Sequence, residues 1–223
     1  MTEKALAFAR MVDSVAINAR NTFDDIKQLV ADAKKYHYFL IYGVACFNEY
    51  MIEQLKGTDT MVGGAVGNAT GVGEEPTEFK VAMAKHWTEI GCGELDMFMN
   101  IPMLRSGMYD EVLKEVKAIR AAAPSILKVI IHTALLTDEE IKIASQIVVE
   151  GGGDFVKTGS GFYGPTTIEA VKIIKDAIGG KCQIKAAGGV QGLPMIEELK
   201  ALGVTRFGLS NTKTVGIMEE LNK

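Results

Sequence analysis

The chain lacks the residue groupings on which metal sites and disulfide frameworks depend. Its three cysteines, Cys46, Cys92 and Cys182, lie far apart and form no Cys-x-x-Cys pair, which argues against both a zinc site and a disulfide scaffold. The three histidines are equally dispersed, so no cluster of metal ligands is visible. We therefore expect any catalysis to proceed without a metal and without a cofactor.

Long apolar runs and basic blocks are also missing. No apolar segment approaches the length of about 18 residues that a membrane span needs, and no basic start precedes an apolar stretch. The formal net charge of −4 comes from charges of both signs scattered along the chain, which argues against nucleic acid as a partner. A cytoplasmic protein that binds neither membranes nor nucleic acids is expected.

What the chain has is a regular alternation of two patterns. Apolar residues make up 48% of its 223 residues, enough for a sizeable core. Eight short, continuously apolar runs are typical of parallel strands covered on both faces. They predict strands at Met11–Ile17, Tyr38–Ala45, Met61–Gly67, Glu94–Asn100, Leu127–Thr133, Asp154–Thr158, Gln183–Ala187 and Arg206–Ser210.

Helical patterns lie between these runs. Thr137 with Glu140 three residues later predicts a helix start, and this helix is expected to end in a left-handed turn at Gly151-Gly152-Gly153. Another helix is expected to end at Gly179-Gly180 in the same way. The other segments with helical periodicity are Thr22–Lys35, Glu78–Ile90, Ser106–Ala122 and Thr166–Ile178.

Strict alternation of strands and helices suits two architectures, an open doubly wound sheet and a closed eight-stranded barrel. No Gly-x-Gly-x-x-Gly follows the first strand, which disfavours the dinucleotide-binding sheet. No composition break marks a linker. The sequence therefore predicts a single (β/α)8 TIM barrel over residues 1–223, with its chemistry where strands end and loops begin.

Two lysines, Lys157 and Lys185, fall near the ends of the sixth and seventh predicted strands. Burying an ammonium in an apolar run is costly, and both burial and a second cation favour the uncharged amine. An uncharged amine is the nucleophile that forms a Schiff base with a carbonyl compound. The pair predicts a nucleophile and its partner, with a structural salt bridge as the alternative.

Further polar residues fall at the same strand ends. Asp13 and Asp96 lie within apolar strands, and Thr133 and Thr158 close the fifth and sixth. An aspartate in an apolar strand stabilises the charged form of a neighbouring lysine. A buried Asp–Lys pair that only fixes the barrel interior is therefore the alternative to a catalytic set.

Glycine-rich stretches follow the sixth and seventh predicted strands, and a third stretch ends the eighth. In barrels, the loops after the seventh and eighth strands often bind phosphate through backbone N–H groups and a helix N-terminus. Beside a nucleophilic lysine, such loops indicate a phosphorylated carbonyl substrate. The stretches are Gly159-Ser160-Gly161, Gly188-Gly189 and Gly208-Leu209-Ser210-Asn211.

Four stretches carry a more specific pattern: Leu95–Asn100, Lys128–Thr133 with Leu135-Leu136-Thr137, Phe155–Phe162 and Lys185–Val190. Through them the chain resembles the deoxyribose-phosphate aldolase family, class I aldolases on a TIM barrel. The resemblance implies that Lys157 forms the Schiff base, that Lys185 keeps this amine uncharged and that Asp96 relays protons through water. It also implies phosphate contacts at Gly161, Gly188, Gly189, Ser210 and Asn211.

The chain departs from the family pattern around the expected substrate. The lysine motifs are kept while the wall is remodelled, since Asn68 and Thr70 add hydrogen-bonding groups and can change substrate discrimination. Predicted substrate contacts therefore also include Asp13, Asn68, Thr133 and Thr158. The replaced segments are Asp13-Ser14-Val15-Ala16-Ile17 for Asp-His-Thr-Leu-Leu, Gly67-Asn68-Ala69-Thr70-Gly71 for Gly-Phe-Pro-x-Gly, His132-Thr133 for Glu-Thr, and Ser210-Asn211 for Ser-Ser.

Three functions are kept open. The first is a cofactor-free Schiff-base aldolase that acts on a small phosphorylated sugar, as 2-deoxyribose-5-phosphate aldolase does. The second keeps this chemistry with another aldehyde or ketone donor or another acceptor, and the third is a non-catalytic phosphosugar-binding barrel. Closed barrels of this class often self-associate, so a homo-oligomer is compatible with each. His132 is interpreted as a hydrogen-bonded structural residue, with a general acid or a substrate partner as the alternative.

Overall fold

Eight parallel strands close into a barrel in the computed structural model, which describes residues 1–223. Neighbouring strands pair in chain order, and the eighth pairs with the first. The predicted barrel is therefore confirmed. The strands are β1 (Val12–Ala16), β2 (Leu40–Gly43), β3 (Met61–Val66), β4 (Glu94–Phe98), β5 (Ile126–Ile130), β6 (Phe155–Lys157), β7 (Gln183–Ala187) and β8 (Val204–Ser210).

Ten helices surround the barrel, and short 3-10 turns follow β2 and β5. None of the helices combines the length and the apolar content that crossing a membrane requires. They are α1 (Glu3–Ala9), α2 (Phe23–Tyr36), α3 (Asn48–Leu55), α4 (Thr77–Glu89), α5 (Ile101–Arg105), α6 (Tyr109–Ala122), α7 (Asp138–Glu150), α8 (Ile168–Ile178), α9 (Leu193–Ala201) and α10 (Asn211–Leu221).

Side-chain capping accompanies six of the ten helix starts. The Thr137 hydroxyl accepts the Glu140 N–H and the Glu140 carboxylate accepts the Thr137 N–H, so α7 begins where predicted. Its left-handed terminal residue is Gly152, with φ 79°. The predicted helix Ser106–Ala122 was wrong in extent. Gly107 adopts φ 74° and separates α5 from α6.

Most of the predicted strands run one or more residues beyond the observed ones. Left-handed backbone interrupts two of these extensions, at Gly67 after β3 (φ 75°) and at His132 after β5 (φ 50°). In contrast, β8 begins two residues earlier than predicted, at Val204. The strands are thus short, and the loops that follow them begin directly above the barrel interior.

Side chains alternate along the strands between two environments. Outward residues such as Leu95 and Val129 pack against the helices in a core of 49 buried apolar residues. Inward positions carry charges, as Glu94 and Asp96 show at the two-residue spacing of one strand face. The strands that were predicted as continuously apolar segments therefore carry polar side chains at their inward positions. These inward side chains form the candidate active site.

Candidate active site

Asp96, Lys157 and Lys185 meet at the C-terminal end of the barrel. Asp96 Oδ2 lies 2.7 Å from Lys157 Nζ and 2.7 Å from Lys185 Nζ. The strand register places Lys157 beside Lys185 on adjacent strands, so one carboxylate oxygen serves both amines. The structure thus brings together the three residues that were predicted as catalytic.

Tyr42 on β2 orients the carboxylate. Its Oη donates to Asp96 Oδ1 at 2.7 Å, which leaves Oδ2 for the lysines. Burial, reinforced by nearby carboxylates, raises the pKa of Tyr42 well above its ordinary value, so the phenol stays a donor. Gly63 permits this position, because a Cβ there would lie 2.1 Å from the Tyr42 ring.

A second group of charges lies beneath this set, outside the cavity wall. Lys128 Nζ lies 3.2 Å from Asp96 Oδ1 and 3.4 Å from Asp13 Oδ2, and it also pairs with Glu94. Arg206 lies 2.8 Å from Asp13 and 3.3 Å from Glu94. The whole network contains four basic and three acidic side chains. One amine can therefore lose its proton while every carboxylate keeps a cationic partner.

Burial and neighbouring charges together set the pKa values of the buried charged groups. It lowers the pKa of Lys185 to about 8, assisted by the charges of Lys157 and Lys128 and opposed by two carboxylates. Burial also opposes the charge of Asp96, but the surrounding lysines outweigh it and hold the pKa of Asp96 well below its ordinary value. Asp96 is thus an anion near neutral pH, beside an amine that loses its proton close to pH 8.

Replacing Lys128 with methionine should lower the free energy of unfolding by about 3–5 kcal/mol, because it leaves buried carboxylates without their central cation. Urea unfolding measures this change. The matched control is Lys27→Met, since Lys27 pairs with Asp24 on the exposed surface and loss of such a pair should change the free energy of unfolding very little. Equal effects of the two substitutions would show that Lys128 does not hold the network together.

A cavity of about 590 Å³ opens above Asp96 and the two lysines, a size typical of small-molecule sites. The Lys157 side chain is 12% exposed and that of Lys185 only 1%, so Lys157 is the amine that a ligand can reach. At the mouth, Tyr163 Oη donates to the Thr70 carbonyl at 2.6 Å. The loops after β3 and β6 therefore meet over the cavity.

The predicted substrate contacts divide into two groups. Asn68 and Gly188 line the cavity. Asp13 lies beneath it, fully buried, with its carboxylate held by Lys185 and Arg206, so it supports a lysine and does not face the cavity. Thr158 is also buried, with its hydroxyl bonded to the Ala187 carbonyl and to a second threonine. Thr133 lines a separate small cleft beside His132.

The glycine loops present free backbone donors. The N–H groups of Gly161, Gly188 and Gly189 have no acceptor within the protein. Gly161 and Gly188 approach so closely that a Cβ on Gly188 would lie 2.5 Å from the Gly161 nitrogen. Such a concave set of N–H groups suits an anion.

At the neighbouring rim, Ser210 and Asn211 start α10. The Ser210 hydroxyl accepts the Lys213 N–H and so caps the helix. The Asn211 amide accepts from Ser14 at 3.0 Å and donates to Asp32 at 2.7 Å. Its oxygen and one of its two N–H donors are thus engaged within the protein, which leaves one N–H donor for the predicted phosphate contact.

His132 lies outside the main cavity. Its ring stacks on Phe98 and meets Tyr163 edge-on, and Nε2 has no hydrogen-bond partner. Burial lowers the pKa of His132 to about 4, so the imidazole is neutral at pH 7. This placement favours a packing role for the ring, and a backbone hydrogen bond with Gly71 opposes part of the pKa shift.

Acid should destabilise the protein through His132. Because its folded pKa lies below the unfolded value of about 6.5, the stabilisation is complete above that pH and is lost as pH falls toward 4. We expect His132 to lower the free energy of unfolding by about 2 kcal/mol between pH 7 and pH 4.5. Urea unfolding at both pH values should show that this decrease in the free energy of unfolding is smaller in His132→Phe and in His132→Asn. The asparagine variant is included because asparagine tolerates the left-handed backbone of this position. An unchanged difference would contradict a buried neutral histidine.

Tyr42, Lys128 and Arg206 belong to the site but were not predicted as functional. Lys128 carries the same signal as the predicted lysines, a basic residue inside the apolar run Ile126–Ile130. Arg206 likewise starts the predicted eighth strand. Tyr42 has no comparable signal, since a tyrosine in a strand is ordinary.

Known proteins are similar to this chain in sequence and in fold. The chain is 38% identical to a deoxyribose-phosphate aldolase of Staphylococcus carnosus over 206 residues, covering 91% of this chain and 92% of that protein. It is 36% identical to a deoxyribose-phosphate aldolase of Mycoplasma mobile over 220 residues, covering 98% and 100%. The solved structure of the aldolase QR15 superposes with a TM-score of 0.89 at 28% identity, covering 100% of this chain and 97% of that one. No protein-family model matches the chain.

Proposed function

Because the chain belongs to the deoxyribose-phosphate aldolase family and is a class I aldolase, we propose that it makes or cleaves a carbon–carbon bond in a small phosphorylated sugar. The cleavage would yield acetaldehyde and glyceraldehyde 3-phosphate from 2-deoxyribose 5-phosphate. The observation that carries the proposal is the pair of 2.7 Å contacts from one Asp96 oxygen to both lysine amines.

Lys157 is the nucleophile in this proposal, since its amine opens into the cavity. Its uncharged amine attacks the substrate carbonyl, and loss of water from the carbinolamine gives the protonated imine. When the carbon–carbon bond breaks, its electron pair moves into the imine to form an enamine, and the hydroxyl on the leaving carbon gives up its proton. Asp96 takes that proton, directly or through water, and returns it when the enamine is protonated. Water then hydrolyses the resulting imine, which releases acetaldehyde and regenerates the Lys157 amine.

Lys185 supports this cycle from beneath. Two ammonium groups on one carboxylate oxygen repel each other, so the pair readily loses one proton. A proton that leaves Lys157 can pass through Asp96 to Lys185, because both contacts are hydrogen bonds. The free N–H groups of Gly161, Gly188 and Gly189 would hold the substrate phosphate, with the N-terminus of α10 adding its dipole.

Cleavage of 2-deoxyribose 5-phosphate, followed by enzymatic detection of the released acetaldehyde, tests the proposal. We expect turnover that exceeds that of every other donor–acceptor pair in a panel of small aldehydes, ketones and phosphorylated acceptors. A different best pair would favour the second candidate, which the hydrogen-bonding residue Asn68 on the cavity wall supports. Calorimetric binding of the sugar phosphate without turnover would instead support a non-catalytic barrel.

Self-association and a cytoplasmic location stay predictions from the sequence. Light scattering during gel filtration measures the first. A mass of 24.1 kDa, that of one chain, would contradict a homo-oligomer.

A further inference from the structure

Lys213 is a lysine in the first turn of α10, beside the loop that carries Gly188 and Gly189. Its amine donates to the Val190 carbonyl at 2.7 Å and pairs with no carboxylate. The side chain therefore reaches from the start of one helix to the residue directly after the two glycines. Nothing in the catalytic cycle described above uses it.

The two segments that Lys213 joins leave the barrel side by side. Strand β7 pairs with β8, and Ala187 lies opposite Gly208 near their C-terminal ends, so the segments that follow are neighbours. Gly188 and Gly208 both line the active-site cavity. The Lys213 amine thus lies where the loops after β7 and β8 meet, and barrels of this kind often bind phosphate between these two loops.

The amine and the glycine loop both have free hydrogen-bond donors. The N–H groups of Gly188 and Gly189 have no acceptor in the protein. A lysine ammonium has three N–H donors, of which the Val190 carbonyl takes one. Gly189 and Ser210 are exposed and Lys213 is half-buried, so an anion from solvent can reach this rim.

The position of Lys213 is unfavourable for the helix itself. The first turn of a helix has free N–H groups and a partial positive charge, which favours acidic side chains there and disfavours basic ones. Neither α10 nor the neighbouring α9 has an acidic residue in its first turn. A bound anion would remove the conflict between the lysine and the helix, and local conflicts of this kind are expected at functional sites.

Asp32 adds a reason for a cation at this rim. Its carboxylate accepts hydrogen bonds from the side-chain amides of Gln28 at 3.0 Å and Asn211 at 2.7 Å. Both donors are neutral, so they do not balance the negative charge beside the start of α10. A phosphate that contacts Asn211 is therefore repelled by this carboxylate, and the Lys213 ammonium offsets the repulsion.

We propose that Lys213 supplies the cation that holds the substrate phosphate, with its ammonium donating to the same phosphate group that the Gly188 and Gly189 N–H groups bind. The inference rests on the proposed Schiff-base function, because that function places a phosphate at this rim. It makes Lys213 a specificity-determining residue, since a charge-assisted hydrogen bond to phosphate favours a phosphorylated sugar over the same sugar without phosphate.

The sugars 2-deoxyribose 5-phosphate and 2-deoxyribose form a matched pair of substrates that differ by the phosphate group. Lys213→Met removes both the charge and the hydrogen bond to Val190, whereas Lys213→Gln removes the charge and keeps an N–H donor for the Val190 carbonyl. We expect both variants to lower kcat/KM about tenfold for the phosphorylated sugar, through KM, and less than about threefold for 2-deoxyribose. Lys213→Arg keeps the charge and should retain the preference for the phosphorylated sugar.

The glutamine variant separates a phosphate contact from a structural tie. A Lys213→Gln enzyme that matches the wild type would show that the lysine only holds α10 to the loop, and the inference fails. It fails equally if Lys213→Met lowers kcat/KM by the same factor for both sugars. The matched control is Lys200→Met, which removes a lysine that pairs with Glu197 on α9 and should change neither value.

Calorimetric titration with inorganic phosphate separates this inference from the proposed function. We expect Lys213→Gln to bind phosphate about tenfold more weakly than the wild type, and equal affinities, or no binding by either protein, would overturn the inference. Borohydride trapping of acetaldehyde on Lys157 is run in parallel. Failure of that trapping contradicts the aldolase mechanism and leaves the phosphate titration valid, whereas successful trapping with an unchanged phosphate affinity contradicts only the role of Lys213.

Discussion

Replacing Lys157 with alanine is expected to lower kcat on the order of 10⁵-fold or more, as removal of a covalent nucleophile does. Lys157 is the amine that opens into the cavity, whereas the Lys185 and Lys128 side chains are almost fully buried. Neither of those two can replace it without moving the strand that carries it. Steady-state cleavage of 2-deoxyribose 5-phosphate measures the loss.

The matched control is Lys172→Ala, which removes an exposed lysine from α8 and should leave the rate unchanged. Because Lys157 also neutralises Asp96, urea unfolding has to accompany the rate measurement. A Lys157→Ala enzyme that stays folded and keeps more than one hundredth of the wild-type rate would contradict a Schiff base at this residue.

Replacing Lys185 with leucine is expected to lower the rate at pH 7 on the order of 10²-fold, with partial recovery near pH 9. In the wild type, Lys185 and Lys157 share one Asp96 oxygen, and burial lowers the pKa of Lys185 to about 8. Without Lys185, Asp96 Oδ2 pairs with Lys157 alone, and that amine loses the neighbouring group that can take up its proton.

The sign of this effect follows from the lowered pKa. In the wild type, Lys185 loses its proton above about pH 8 and can then take up a proton from Lys157 through Asp96, so activity should rise through that region. In Lys185→Leu the rise should move to higher pH, and Lys157→Ala should show no recovery at any pH. A Lys185→Leu profile that is lower by the same factor at every pH would show that Lys185 does not control the charge of Lys157.

The fold was predictable because two local signals agreed. Apolar runs marked all eight strands, and capping residues such as Thr137 marked helix starts, so their alternation indicated a barrel. The strand ends were less predictable. A residue with left-handed backbone, such as His132, lies just beyond the end of a strand. Its backbone conformation does not follow from side-chain polarity.

The catalytic set was predictable because charge in an apolar strand is rare. Lys157, Lys185 and Asp96 stood out individually and met as expected. The role of Asp13 was not predictable, since its depth depends on the register of β1 against β8.

Borohydride reduction in the presence of acetaldehyde, followed by digestion and mass spectrometry of the peptides, tests the central claim most directly. Reduction of the imine leaves an ethyl group on the amine that attacked. The account predicts this group on Lys157, in amounts that depend on acetaldehyde and disappear in Lys157→Ala. A modified Lys185 in place of Lys157, or no modification with any donor in the panel, would contradict it.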